Sequence, residues 1–184
     1  MIVILRDVRI AFPDLFTAKQ FEGKGDFSYG ATFLIDPESP TYKEVSDTVK
    51  KVATEKWADK APQVLKAISG NPQKCGFYSG DLKEYDGFAG RYALSAKRKE
   101  KDGHPKVVDQ KLNDLSSSDG KPYGGSYVNA KVDIWAQDHA TYGKGIRATL
   151  VSVQFKRDGD AFSSTGPANT EGFAEEEGGD SELI

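Results

Sequence analysis

Residues 126–136 read SYVNAKVDIWA, and in them Val128, Ala130, Val132, Ile134 and Ala136 take every second place. All five are small or apolar, and a period of two belongs to a β-strand with one buried face. The opposite face carries Tyr127, Asn129, Lys131, Asp133 and Trp135. Two large aromatics flanking a lysine on a nominally wet face have two readings. Either the rings pack under a helix or loop, or they stack on nucleobases, at about 1–3 kcal/mol per base, while the lysine meets phosphate.

The alternation continues on both sides of this strand. Downstream, residues 145–156 (GIRATLVSVQFK) form another strand, reached through the loop 137–145, QDHATYGKG, which offers His139, Tyr142 and Lys144 with Arg147 just beyond. In a barrel such a loop borders the binding cleft. Upstream, residues 91–99 (RYALSAKRK) turn Tyr92, Leu94 and Ala96 inward and leave Arg91, Ser95, Lys97 and Lys99 outward, with Arg98 and Lys101 at the end. This is the densest basic stretch of the chain. It is a solvated surface or a phosphate track, and the aromatics just before it (Phe77, Tyr78, Tyr85, Phe88) favour the track. Residues 100–125, with Asp102-Gly103 and Gly124-Gly125, are a long excursion between strands.

Nearer the N-terminus, residues 2–12 read as a strand with Ile2, Ile4, Val8, Ile10 and Phe12 on one face, broken by Arg6. Residues 17–26 (TAKQFEGKGD) are polar and read as a loop, and residues 27–36 as a second strand with Phe27, Tyr29, Ala31, Phe33 and Ile35 on one side. Then the period changes. Ser39 or Thr41 caps a helix, Pro40 suits its first turn, and Tyr42, Val45, Val49, Val52 and Ala53 make one apolar stripe. A second short helix follows Pro62, and Gly70-Asn71-Pro72 stops it. Mainly β structure with one or two helices, the main one between the second and third strands, suits a closed or nearly closed five-stranded barrel, which the pattern alone does not separate from another β-sandwich.

Composition narrows the functional classes. The 184 residues are 38% hydrophobic and 29% charged, enough for one domain and a tail. No apolar run approaches the roughly 20 residues of a membrane helix, and the start, MIVILRDVRI, lacks the shape of a signal peptide. A cytoplasmic protein is expected. The single cysteine, Cys75, reads as a small buried hydrophobe, and with two histidines it cannot build a zinc site. No phosphate-cradling loop, nucleophile elbow or H-E-x-x-H motif is present. Asp81, Glu84 and Asp86 are the one acidic cluster that could hold a divalent metal, and decoration of a loop is the plainer account of them. No enzyme, cofactor or metal is expected.

Charge is unevenly spread. Of 28 acids, six (Glu171, Glu175, Glu176, Glu177, Asp180 and Glu182) lie in the last fourteen residues, which hold no Lys or Arg. Residues 1–170 therefore keep 25 basic against 22 acidic side chains, a net of +3. After Gly166-Pro167 no periodicity survives, so residues 167–184 are expected to be a disordered acidic tail behind a domain of residues 1–166.

Three segments carry a resemblance: RIAFPDLF at 9–16, GDLKEYDGFAGRYALSAK at 80–97, and GGSYVNAKVDIWAQDHATYGKGIRATLVSVQFKRDGDAF at 124–162. Through their order and spacing, residues 1–165 resemble the tailed-phage single-stranded-DNA-binding family first catalogued as a domain of unknown function. The resemblance implies an oligonucleotide-binding (OB) fold, sequence-tolerant binding of single-stranded DNA, and work in phage replication or recombination inside an infected bacterium. Strand faces and the loop nominate Tyr127, Lys131, Trp135, Arg91, Lys97, Arg98, Lys99, Tyr142 and Lys144 for DNA. The C-terminal Asp180, Glu182, Leu183 and Ile184 resemble tails that dock on phage or host replication proteins, or fold back on the DNA groove. The competing reading is a structural phage β-sandwich whose exposed aromatics are subunit contacts.

Overall fold

The computed structural model describes residues 1–163 and 173–174. Five long strands make the frame: β1 (Ile2–Phe21), β2 (Lys24–Ile35), β4 (Tyr92–Lys99), β6 (Tyr127–His139) and β7 (Gly143–Arg157). Two three-residue strands, β3 (Phe77–Ser79) and β5 (Lys106–Val108), extend the sheet at its ends. The order is β3-β4-β2-β1-β6-β7-β5, and a parallel pairing of β4 with β7 joins the sheet to itself. The five long strands thus form the expected closed barrel. All four other pairings within the ring are antiparallel.

Between β2 and β4 the chain runs through α1 (Pro40–Trp57), a 3₁₀ turn and α2 (Ala61–Ile68). Ser39 caps α1: its Oγ accepts from the Tyr42 N–H at 3.2 Å, and Pro40 takes the first turn where its missing N–H does no harm. The predicted stripe faces the barrel, with Val45, Val49, Val52 and Ala53 buried and Tyr42 half-buried. Thr41 Oγ1 meets both the N–H and the carbonyl of Arg6, tying α1 to β1.

Inside the barrel, Leu5, Ile10, Phe33, Leu94, Ile134, Ile146 and Leu150 are fully buried. Each such side chain contributes about 1.5–3 kcal/mol relative to exposure. A smaller cluster of Ala11, Leu34, Tyr78, Phe88 and Ala93, with Phe162 against it, covers the outer side of β2 and β4. That second cluster explains why residues 33–35 are buried without alternation.

The inward face of β1 differs from the sequence expectation. Val3 and Leu5 are buried, then Val8 and Ile10, while Ile2 is half exposed. Between the pairs Leu5–Ala130 and Val8–Val128, β1 advances three residues for two of β6, and Asp7 sits at φ 55. This is a β-bulge, and one extra residue moves the strand's buried set from odd to even positions. A second extra residue lies at Phe12 (φ 50), between Ala11–Thr32 and Asp14–Gly30, and turns that ring out of the barrel, against Tyr85 and Phe88. The Asp7 carboxylate accepts from Arg157 and pairs with Lys156, and the Arg157 hydrogen bond holds its carboxyl below the usual range.

Residues 17–26 are not the expected loop. They form a two-stranded ribbon that extends β1 and β2, turning at Glu22-Gly23 where both φ values are positive. A tight hairpin of this hand requires that conformation. Phe27 is exposed in this ribbon and does not join the buried face of β2.

Gly125 marks where the chain after β7 packs back on the barrel. It sits at φ +106, and an added Cβ would lie 2.1 Å from the Asp160 carbonyl oxygen. Gly125→Ala should therefore destabilise the fold by roughly 2–4 kcal/mol, combining backbone strain with overpacking. Urea denaturation checks this: the midpoint should fall while the slope with denaturant stays constant.

Candidate functional site

Barrel closure creates a cleft of about 970 Å³ on the outer side of β4 and β7. Its floor includes Ser95, Lys97 and Thr149; its walls are the β1–β2 ribbon, the β6–β7 hairpin and the connector from α2 to β3. Lys97 and Thr149 are partners in the parallel pairing that shuts the ring. Thr149 Oγ1 accepts from Trp135 Nε1 at 3.1 Å, which fixes the indole plane while the ring stays 41% exposed. At 5.7 Å the Lys97 ammonium lies over the ring of Phe21, within the reach of a cation–π contact.

Tyr142 stands at the tip of the β6–β7 hairpin, exposed, with its ring 4.8 Å from that of His139. His139 Nδ1 accepts from the N–H groups of Thr141 and Tyr142 at 3.0 and 3.3 Å, which shapes the tip. Phe21, Trp135 and Tyr142 thus present ring surface in a cleft that also holds Lys97 and Lys99. Burial for the core does not explain their exposure.

Two of the nominated cations that line the cleft are already engaged. Lys99 pairs with Asp26 at 3.0 Å, and this hydrogen bond lowers the Asp26 carboxyl and raises the Lys99 ammonium from their ordinary values. Arg98 gives Nε to Gly103 O at 2.8 Å, Nη2 to Asp102 O at 2.7 Å and Nη1 to Leu150 O at 3.4 Å. It lends charge to the cleft while bracing the turn after β4.

Of the nominated residues, Trp135, Lys97, Arg98, Lys99 and Tyr142 come together on this one cleft. Others are elsewhere. Tyr127 shares a strand face with Trp135 but lies eight residues away along β6, about 27 Å. Its ring is flanked by Arg157 at 3.9 Å and Arg9 at 5.3 Å, a clamp on the segment after β7. Lys131 is exposed between Ile4 of β1 and Ser152 of β7, away from the cleft. Arg91 donates to Gly87 O at 2.9 Å and holds the loop before β4. Lys144 is exposed on the hairpin across from Asp138, outside the cleft lining. Asp180, Glu182, Leu183 and Ile184 lie outside the described residues.

Sequence reasoning missed Phe21, because the ribbon that carries it looked like a loop. The available signal was two phenylalanines, Phe21 and Phe27, flanking a glycine turn. Arg147 also lines the cleft: Nε donates to Gln137 Oε1 at 3.1 Å and Nη1 to Gln73 O at 2.7 Å. The acidic cluster serves loop structure, with Asp81 accepting from Gly90 N–H and Asp86 from Ser163 N–H. Cys75 is buried, and burial pushes its thiol up.

Residues 1–184 match the model of the family described as Enterobacter phage Enc34, ssDNA-binding protein. The putative protein p50 of Acyrthosiphon pisum secondary endosymbiont phage 1 is 44% identical over 176 residues, covering 94% of this chain and 92% of that protein. Among solved structures, the single-stranded DNA-binding protein from bacteriophage Enc34 in complex with ssDNA has a TM-score of 0.72 at 22% identity, covering 88% of this chain and 89% of that one. The gp2.5 single-stranded DNA-binding protein encoded by bacteriophage T7 has a TM-score of 0.57 at 18% identity, covering 96% and 99%. These two structures speak to the fold. No helix among the described residues is long and apolar enough to cross a membrane.

Trp135 lines a surface and so should be dispensable for folding. Trp135→Ala should change stability by less than about 1 kcal/mol, the scale of a surface substitution that loses one hydrogen bond. Thermal melting of the two proteins checks this, and a loss of several kcal/mol would return Trp135 to the core.

Proposed function

This chain belongs to the Enc34 phage ssDNA-binding protein family, and we propose that its cleft binds single-stranded DNA without regard to sequence. One observation carries the reading: Phe21, Trp135 and Tyr142 line one cleft with Lys97 on the outer side of the barrel's third strand, between its first and last hairpins. Those are the face and loops with which OB-folds take oligonucleotides. Every base has a π-face, so ring stacking tolerates any sequence, and cations tracking the backbone read no base. Lys97 is the direct phosphate ligand. Lys99 joins once phosphate displaces Asp26. Tyr127, Lys131 and Arg91 have no place in this site, because they stand apart from the cleft.

The acidic C-terminus is the second part of the proposal. Six acids within covalent reach of a body of net charge +3 have an effective concentration on the order of millimolar, enough for a weak polyanion to compete with DNA. The terminal Leu183 and Ile184, beside Asp180 and Glu182, give the same segment an apolar hook for phage or host replication proteins. Work in phage replication or recombination in the host follows from these two properties.

Titration of tryptophan fluorescence with poly-dT at two salt concentrations tests the cleft. Binding should weaken with salt, and Trp135→Ala should cost about 1–3 kcal/mol. Lys97→Ala should flatten the log–log salt slope by about 0.7, one phosphate contact on a single strand. Asp26→Asn should tighten binding by freeing Lys99. A protein that ignores poly-dT even at roughly 50 mM salt, where phosphate contacts are strong, has the structural role of the competing reading, with the exposed rings as subunit contacts.

Deleting residues 171–184 should tighten binding, most at about 20 mM salt where screening is least. Equal affinity of the full and shortened chains there would remove self-competition from the proposal.

A further inference from the structure

We infer that the helical insert between β2 and β4 is a brace that positions the β6–β7 hairpin for DNA, with Trp57 and Asp138 as its joint. The inference rests on the cleft being the DNA site. Beyond the barrel rim, β6 and β7 continue as a ribbon through Gln137–Gly145, Asp138–Lys144 and His139–Gly143 to the tip that bears Tyr142. A lone two-stranded ribbon is marginal in water, so its direction needs outside support.

The helices and the connector after them supply it. Ile146 N–H donates to Lys74 O and Gly76 N–H to Ile146 O, both at 2.9 Å, so the connector is held beside β7 by one parallel bridge at Cys75–Ile146. Gly145 permits this approach, since a Cβ there would stand 2.7 Å from Lys74 O. Nearer the tip the support is one side-chain bond. Trp57, the last residue of α1, is buried, and its Nε1 donates to Asp138 Oδ2 at 3.2 Å.

Strand alternation explains the pairing. Trp135 and Gln137 face the cleft, so Asp138 projects to the other side, where α1 ends. Asp138 does not line the cleft and is exposed, so neither DNA contact nor the core accounts for it. It is a positioning residue acting through Tyr142. Without the bond, the tip samples more directions, and binding must then order it.

The test compares Asp138→Ala with Asp138→Asn in the full chain, binding a dT oligonucleotide. Both variants remove one negative charge, but only asparagine keeps an oxygen that can accept from the indole. Asp138→Asn should bind at least as tightly as the native chain, and Asp138→Ala about fivefold more weakly than Asp138→Asn, the scale of one net hydrogen bond. Melting temperatures of the two should differ by no more than about 2–4 °C, the effect of one hydrogen bond on a domain of this size. In a Tyr142→Ala background the difference between them should vanish, because the tip no longer carries a ring to place. Equal affinities of the two variants, with Tyr142→Ala and Lys97→Ala still weakening binding, would overturn the brace and leave the cleft intact. If Tyr142→Ala and Lys97→Ala also leave affinity unchanged, the cleft reading fails and the brace with it.

Discussion

The parallel contact of β4 with β7, at Lys97 and Thr149, is the constraint on which the molecule turns. It converts an open sheet, whose end strands would expose unpaired backbone groups, into a ring. Inside the ring it brings Leu94 and Ala96 of β4 toward Leu150 of β7, all buried. On the outside it sets a lysine next to the threonine that orients Trp135. Core and site share one closure, so the same pairing that excludes water from the interior assembles the polar floor of the cleft.

The hairpins that wall the cleft overrun the barrel, and their residues are chosen by different rules. Within the barrel each strand must alternate to fill a closed interior. Beyond it, both faces of a ribbon are wet, and large rings such as Phe21 and Tyr142 gain nothing from burial there. Exposed rings at both walls, with Trp135 pinned between them, are readily understood as surface kept open for flat, apolar ligands with a charged backbone. The bulges at Asp7 and Phe12 belong to the same geometry, since β1 must bend to pair with β6 along one half and with β2 along the other.

How much of this was legible depended on whether the deciding interaction was local. The core face of β6, Val128 to Ile134, stood out because burial and exposure alternate without interruption. Helix α1 stood out through the Ser39 cap and the Val45–Val49–Val52 stripe. The face of β1 was misread because its phase is set at Asp7 by the register with β6, not by β1 itself. Residues 17–26 were misread because a ribbon with two wet faces has no hydrophobic pattern to show. Alternation also assigns a face but not a neighbourhood, which is why Tyr127 was grouped with Trp135. The positive charge of Arg98 was visible, but the three carbonyls that hold it come from a turn and from β7.

The proposed path of single-stranded DNA runs between the β1–β2 ribbon and the β6–β7 hairpin, over the closure of the barrel. Backbone and indole ¹H–¹⁵N spectra recorded while a short dT oligonucleotide is added test it most directly. Shifts should gather at Phe21, Lys97, Trp135, Tyr142 and Arg147, while Tyr127, Lys131 and Arg91 stay still. Shifts centred on Tyr127, Arg157 and Phe162, with the cleft silent, would contradict it.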